Sequence, residues 1–545
     1  MHAIDTLPDD IEALKRLVLA RGAELAQRTA ELAQRTAELA QRAVELSQHA
    51  EQLAAARGEL LVTTTLIEKL KLEIARLKRM QFGRSSEKNA ERIEQLELIV
   101  EDLEASQAQM GVAPLRESTA KTPPVRRPLP DHLPRETVRH EPEAGCPDCG
   151  GSLRSIGEDV AEMLEYVPAS FKVIRHVRPR LACACCERIV QVPAPIRPID
   201  RGVPGPGLLA HVLVSKYADH LPLYRQAGIY ARQGIELERS TLADWVGASA
   251  RLLEPLVRAL RDHVLAAEKL HADDTPVPVL QPGRGTTKTG RLWTYVRDDR
   301  PAGGTVPPAV WMRYTPDRKA VHPAEHLARF TGVLQADGYA GFERLYETGR
   351  ITEAACWAHV RRKFYDIAEA TGSPIATEAI GRIGELYAIE AEIRGRAPDE
   401  RGGQRQARVA PLLDALRTWL QATLGKLSSK GELAQAIRYA LTRWAALARY
   451  AEDGRIEIDN NAAERSIRDA ALGRKNWLFA GSDAGGERAA AIYSLLGSAK
   501  LNGLDPERYL RAVLERIAEH PINRVDELLP WNLAGTAAGD DRLAA

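Results

Sequence analysis

The chain has 545 residues, with 75 Lys and Arg against 74 Asp and Glu, a net charge of +1. That length exceeds one ordinary core and predicts roughly three or four domains, and the near-neutral balance excludes a global polyelectrolyte, so any affinity for nucleic acid has to be local. Residues 1–10 lack a basic stretch leading into an apolar one, no apolar run approaches the roughly 18–20 residues that span a bilayer, and five of the six cysteines fall between 146 and 186, which favours metal over disulfides in a cytosolic protein.

The first hundred residues carry a seven-residue repeat. Ile11, Val18, Leu25, Leu32, Leu39, Leu46, Leu53, Leu60, Ile67 and Ile74 keep unbroken spacing, the period of a left-handed coiled coil. The second seam position is weak, with Thr29, Thr36, Ala43 and Ala50. A solitary helix would leave the Leu stripe in water, so pairing with a second copy is expected, or with another protein in its place. Gly and Ser in QFGRSSEK (81–88) break the pattern, and a Glu/Leu-rich helix then runs to about residue 108. Seven prolines between 114 and 142 predict an extended linker over 111–143. Its Arg126, Arg127, Arg135 and Arg139 either touch phosphates or are simply solvated.

Cys146-Pro-Asp-Cys149-Gly-Gly has the form of a metal knuckle, and Cys183 and Cys186 in LACACCE repeat the C-x-x-C spacing. The alternating run FKVIRHVRPRL between them predicts a long hairpin that brings the pairs together. Four thiolates imply a structural zinc site at Cys146, Cys149, Cys183 and Cys186, with Cys185 an extra neighbour. Lys172, Arg175, His176, Arg178 and Arg180 either meet DNA phosphates or form the wet face of the hairpin. Residues 206–262 read as helical, with Gly234 closing one helix and Ser240 capping the next.

From 265 the pattern changes to short strands: KLHADDTPV, RLWTYVRD, AVWMRYT, GVLQADGY and TEAACWAHV, followed by about ninety helical residues and then DNNAAERSIR. In-line attack on a phosphodiester uses two divalent ions, and carboxylates are the side chains that hold magnesium. Asp273 lies on the first strand, and Asp274 beside it points to the opposite face; chemistry alone does not choose between them. Asp337 sits at a strand end before Gly338. Glu464 lies on the late helix, which Asp459 or Asn460 can cap, and Arg468 is one turn further on, to bind phosphate or to pair with Glu464. His359, Arg361, Arg362 and Lys363 follow the last strand, placed to meet a phosphate or to start a basic helix; Trp357 reads as core. The order of strand Asp, strand Asp and helix Glu is the layout of the ribonuclease H-like fold.

At these residues the sequence resembles transposases of the insertion-sequence-66 family. The resemblance runs through FGRSSEK (82–88), CPDCGG (146–151), LHADDTPVPVL (270–280), GRLWTYVRDDRP (290–301), ADGYAGF (336–342), CWAHVRRKF (356–364), DNNAAERSIR (459–468), YSLLGSAKLNGLDPERYL (493–510) and LLPWN (528–532). It implies an Asp-Asp-Glu transposase with catalytic Asp273, Asp337 and Glu464 holding magnesium or manganese, and DNA contacts from Arg361, Arg362 and Arg468. The family often has Glu at the position of Asp274, which favours Asp273 as the ligand. Implied partners are double-stranded DNA, a second copy of the chain and companion proteins of the same element, at the nucleoid. The expected organisation is a coiled coil (1–110), a linker (111–143), a zinc ribbon (144–192), a helix-turn-helix-like DNA-binding region (193–262), an α/β ribonuclease H-like catalytic domain (263–505) with a helical insertion at about 365–455, and a helical tail (506–545). The implied chemistry is hydrolysis at the element's ends, after which the released 3′-hydroxyls attack target phosphodiesters.

Overall fold

The computed structural model describes residues 11–79, 96, 99–106, 129–131, 133–142, 145–167, 170–200, 202–280, 287–477 and 480–537. The Gly/Ser break at 81–88 and the Pro-rich run to 128, with Arg126 and Arg127, lie outside them. The chain divides into two compact units, one built on residues 1–69 and the other on nearly all that follows.

The first unit is a helix. α1 (Ile11–Arg79) crosses the whole heptad region and continues into the second unit. Leu25, Leu32, Leu39 and Leu46 are 65–70% exposed. The weak seam has a local explanation: the hydroxyls of Thr29 and Thr36 donate to the Leu25 and Leu32 carbonyls at 2.7 Å. These polar atoms are satisfied within the helix, so Thr presents a methyl group to a neighbour rather than an unmet donor.

The second unit opens with a four-stranded sheet. β1 (Arg135–Arg139), β2 (Leu153–Val167), β3 (Ser170–Cys183) and β4 (Ile189–Val190) give the order β1-β3-β2, with β4 also on β3. The expected hairpin is β2–β3, which pairs Leu153 with Cys183 and Val167 with Ser170. The linker expectation fails at its end. Residues 135–139 are a strand, parallel to β3 in a register that sets Arg135 beside Val173, because β3 has a second hydrogen-bonding edge that the hairpin leaves open. Arg135 pairs with Glu162, and Arg139 with Glu141 and Glu158.

Three helices follow: α2 (Pro206–Tyr217), α3 (Leu223–Ala231) and α4 (Arg239–Leu265). Gly234 takes φ +77° just after α3, as expected of a helix stop. Ser240 does not cap α4. The cap position is Glu238, and the Ser240 hydroxyl, already inside the first turn, donates to the Glu238 carboxylate at 3.4 Å. The ribbon sheet is anchored to these helices by Glu165, which is buried and accepts the N–H groups of Gly207 and Leu208 at the start of α2, where a carboxylate meets unpaired donors and the positive end of the helix dipole.

The larger sheet holds β5 (Lys269–Leu280), β6 (Thr287–Arg297), β7 (Ala309–Thr315), β8 (Gly332–Ala336) and β9 (Ile351–Ala354) in the order β7-β6-β5-β8-β9. β6 is antiparallel to both β5 and β7, while β8 and β9 run parallel to β5 and to each other. The last strand is shorter than TEAACWAHV suggests. It stops at Ala354, and Trp357 already begins helix α5 (Trp357–Thr371), so the apolar residues of that run serve a strand and then a helix.

α5 leads into α6 (Pro374–Ile393), α7 (Ala410–Leu424) and α8 (Glu432–Thr442), which share a buried cluster of their own around Trp357, Phe364, Ile383, Leu386, Leu416 and Trp444. Within it, Glu390 holds two buried guanidiniums, Arg401 at 3.3 Å and Arg405 at 2.7 Å. The chain returns to the sheet at α9 (Asn461–Trp477), lying against β5 and β6, then forms α10 (Asp483–Leu501) and α11 (Pro506–Arg516). α10 covers the edge of the sheet: Ser494 and Ser498 accept the N–H groups of Met312 and Val310 at 2.8 and 3.0 Å, so the β7 edge is closed by helix hydroxyls instead of another strand. One hydrophobic cluster runs from Leu164 and Phe171 of the ribbon through Leu253 and Trp293 to Leu495 and Val513.

Candidate metal centres

In the ribbon the β2–β3 hairpin brings the two C-x-x-C pairs into one cluster. The Cys146–Cys186 and Cys149–Cys183 sulfurs are 3.4 Å apart, and Cys149–Cys186 are at 3.5 Å. Four sulfurs each about 2.3 Å from one zinc ion would lie about 3.8 Å from one another, so a small expansion of this cluster admits the ion. Gly150 takes φ +67°, the left-handed turn that closes the first knuckle. A Cβ on Gly151 would come 3.2 Å from the Cys183 sulfur and 2.7 Å from that of Cys185, so the second glycine is required by close approach. The N–H groups of Cys186 and Cys185 point at the Cys183 sulfur and pull that thiol down to about 6, which favours the thiolate that a metal needs. Cys185 stands outside the set of four. The basic residues of β3 are largely engaged inside the ribbon: Lys172 with Glu136, and both Arg178 and Arg180 with Asp159. Arg175 is exposed.

The second centre is built on the larger sheet. Parallel pairing sets Ala272 beside Ala336, so one further step puts Asp273 next to Asp337. Alternation along β5 sends His271 and Asp273 to one face and Asp274 to the other. On the first face lies α9, which starts against His271 and carries Glu464 in its first turn. Asp273 is mostly buried. That burial, together with the charges of Asp337, Asp274 and Glu464 and against one hydrogen bond from the Asp274 N–H, pushes its carboxyl up to about 7. Asp274 is differently placed. Its carboxylate receives Arg318 at 2.7 Å and Arg291 at 3.0 Å, and these two cations oppose the upward shift that burial imposes. The chemistry of the two residues left Asp273 and Asp274 equivalent, with the family resemblance alone favouring Asp273; the pleat and these partners give them different surroundings.

Asn460 fixes α9 in place. Its buried amide donates to the Ala272 carbonyl at 2.8 Å and meets His271 Nδ1 at 3.1 Å, while its backbone N–H reaches the Cys356 sulfur at 3.2 Å. Burial drives His271 down to about 3 and keeps it neutral. The capping role falls to Asp459, which accepts the Asn461 N–H at 3.1 Å.

Two groups near the carboxylates come from outside the expected set or take a new place. Arg318, on the loop after β7, lies 3.9 Å from Asp337 as well as on Asp274, and stacks 4.0 Å from the Tyr339 ring centre. Sequence offered no sign of it, since a lone Arg in TPDRK follows no period. His359, on the first turn of α5, sets Nδ1 3.8 Å from a Glu464 oxygen. Arg361 and Arg362 are exposed further along α5, and Arg468 is exposed on α9 with no ion pair to Glu464 among the described residues. Asp273, Asp337 and Glu464 do not all come within 4.8 Å of one another. Among the described residues that closeness is reached by the four ribbon sulfurs, and by Cys356, His359 and Glu464.

A helix-covered mixed sheet with acids gathered at one face, preceded by a four-thiol ribbon and a long heptad helix, defines a multidomain α/β protein of the kind that handles nucleic acid. The chain belongs to the IS66 family of transposases. Residues 201–488 match the profile described as transposase IS66 family, and 494–531 match the IS66 C-terminal element. Residues 143–187 match the zinc-finger binding domain of transposase IS66, and 69–138 match a profile described as transposase C of IS166 homeodomain, a leucine-zipper element. Two proteins of Sinorhizobium fredii are similar along nearly their whole length. The uncharacterized protein y4qI is 41% identical over 554 residues, covering 98% of this chain and 99% of its own. The uncharacterized protein y4hP is 43% identical over 505 residues, covering 88% and 91%. Among the described residues no helix is long and apolar enough to cross a membrane.

The ribbon geometry predicts about one zinc per chain. Cys146→Ser should lose the metal and destabilise the ribbon, whereas Cys185→Ser should keep it; metal analysis of freshly purified, reduced protein decides, and zinc retained by Cys146→Ser would contradict the assignment. Asp273 gives a second prediction, with its sign fixed by linkage. The folded, metal-free chain holds this proton up to about pH 7, while an ordinary Asp releases it near 3.8. Stability is therefore fully present below about pH 4 and lost as the pH rises to about 7. Without added magnesium or manganese, Asp273→Asn should melt higher than wild type at pH 8 and at the same temperature at pH 4. Equal melting at pH 8 would show that the buried carboxylate carries no such cost.

Proposed function

We propose that the chain is an Asp-Asp-Glu transposase that cuts DNA at the ends of an insertion sequence and joins the freed 3′-ends to new DNA. The observation that carries the reading is the register of β5 with β8, which sets Asp273 beside Asp337 on the face where α9 brings Glu464. An antiparallel β7-β6-β5 set extended by parallel β8 and β9 supports a ribonuclease H-like core, with α5–α8 as the insertion before the last acid. Asp273, Asp337 and Glu464 would hold magnesium or manganese, which when bound activates the attacking oxygen and stabilises the leaving one. The burial that raises Asp273, with added repulsion from its acidic neighbours, is the expected state of an acid arranged for a cation.

The chain's own groups do the rest. Arg318 balances Asp274 and Asp337, and its cation lies where it can meet a phosphate held at the same acids. Arg361, Arg362 and Arg468 are exposed cations near the same centre, suited to flanking backbone phosphates. The same acids serve both steps because only the nucleophile changes, from water to a 3′-hydroxyl. In this reading the ribbon and the α2–α4 helices engage double-stranded element ends, α1 pairs two chains, and the protein works in the cytoplasm at the nucleoid.

Asp273→Ala, Asp337→Ala and Glu464→Ala should each reduce cleavage and strand transfer by at least about a thousandfold, of the order seen when one member of a catalytic set is removed, while binding to an end fragment changes little. Near-normal cleavage by any one would remove that residue from the set, and cleavage without joining of a pre-cut end would mark a nuclease instead. For α1, Leu32, Leu39 and Leu46 changed together to Lys should abolish self-association in sedimentation and the pairing of two ends, yet spare binding to one end. Each exposed Leu costs about 1.5–3 kcal/mol that a partner helix recovers; unchanged pairing in the triple variant would assign assembly elsewhere.

A further inference from the structure

His359 has a geometry that a surface ion pair does not explain. Its Nδ1 is buried with no hydrogen-bond partner, and it faces Glu464 at 3.8 Å, too far for a hydrogen bond. A free side chain on a first helical turn would close that gap or turn to water, because a buried, unpaired ring nitrogen costs about 1–3 kcal/mol. Neither residue is free to drift. The N–H of Trp357 bonds the Ile458 carbonyl at 3.1 Å, and the N–H of Asn460 bonds the Cys356 sulfur. These two bonds tie the start of α5 to the start of α9, so the backbone holds His359 and Glu464 at a set separation. Two ligands each about 2.1 Å from one ion can be at most about 4.2 Å apart, and 3.8 Å lies inside that reach.

We propose that His359 Nδ1 is a metal ligand beside Glu464, so that the carboxylate centre is completed by an imidazole nitrogen and favours manganese over magnesium. The proposal rests on the carboxylate reading given above. Magnesium prefers an all-oxygen shell, whereas manganese, a first-row transition ion, takes an imidazole nitrogen more readily than magnesium does. Cys356 also lies within reach of Glu464 and His359, but it serves a different purpose. Its sulfur is buried and already accepts the Asn460 N–H at 3.2 Å, so it packs the start of α5 against the start of α9.

The test uses the full chain with its ribbon zinc in place, loaded with Mn2+ and examined by electron spin-echo envelope modulation. Wild type should show coupling to a directly bound nitrogen. His359→Ala should lose that coupling and bind Mn2+ at least about tenfold more weakly. His359→Asp, which supplies an oxygen ligand and adds one negative charge, should recover Mn2+ binding without the nitrogen signal and should cleave better in Mg2+ than His359→Ala. Bound Mn2+ without nitrogen coupling in wild type, while Asp273→Ala and Glu464→Ala still weaken binding, overturns the His359 assignment and leaves the carboxylate centre standing. Mn2+ binding that is absent, or indifferent to Asp273→Ala and Glu464→Ala, overturns both.

Discussion

The buried amide of Asn460 is the contact on which the candidate centre depends. Glu464 is more than 120 residues from Asp337 in sequence and is separated from it by an entire helical insertion, so nothing local holds the two together. Asn460 does so by bonding to three elements at once: its side chain to Ala272 and His271 of β5, its N–H to Cys356 at the start of α5, and its carbonyl to the first turn of α9. Each bond has a net worth of about 0.5–1.5 kcal/mol, but leaving such a group unpaired in the interior costs more than that. The penalty for misplacement, more than the gain from placement, fixes the position of the helix.

The same economy governs how the insertion is attached. α5–α8 have their own buried cluster and could drift as a body on the two chain crossings. They are held to the sheet by charge and amide contacts at its base: Gln335 of β8 exchanges hydrogen bonds with the Glu457 backbone, and Glu457 pairs with Arg401 at 2.8 Å. Arg401 in turn shares Glu390 with Arg405. A buried guanidinium without its carboxylate is costly, so this network has one arrangement that satisfies it. The insertion therefore sets where α5 begins, and with it the position of His359.

Charge is used differently at the two centres. In the ribbon, cationic side chains of β3 pair with neighbouring acids, and the thiols are tuned by backbone N–H groups. At the sheet, like charges are crowded together and Asp274 has two arginines on its carboxylate. The proposed catalytic face is thus left electrically unsatisfied while the opposite face of the same strand is neutralised by Arg291 and Arg318. That asymmetry between adjacent aspartates, one strained and one quenched, is what a cation-binding site needs of its scaffold.

The sequence by itself determined the elements whose physics is local. The seven-residue stripe dictated α1, paired C-x-x-C motifs with an alternating run between them dictated the hairpin and its four-sulfur cluster, and short apolar runs located all five strands of the larger sheet, because periodicity and turn chemistry act over a few residues. It went astray where a neighbour decided. Residues 135–139 look like linker until the free edge of β3 recruits them, Ser240 looks like a cap until the helix starts two residues sooner, and TEAACWAHV reads as one strand although its second half belongs to a helix core. The different surroundings of Asp273 and Asp274, the arrival of Arg318, and the approach of His359 to Glu464 were the work of tertiary structure. They depend on strand register and on the contacts of Asn460 across 188 residues of chain, and no local pattern encodes a contact made at that distance.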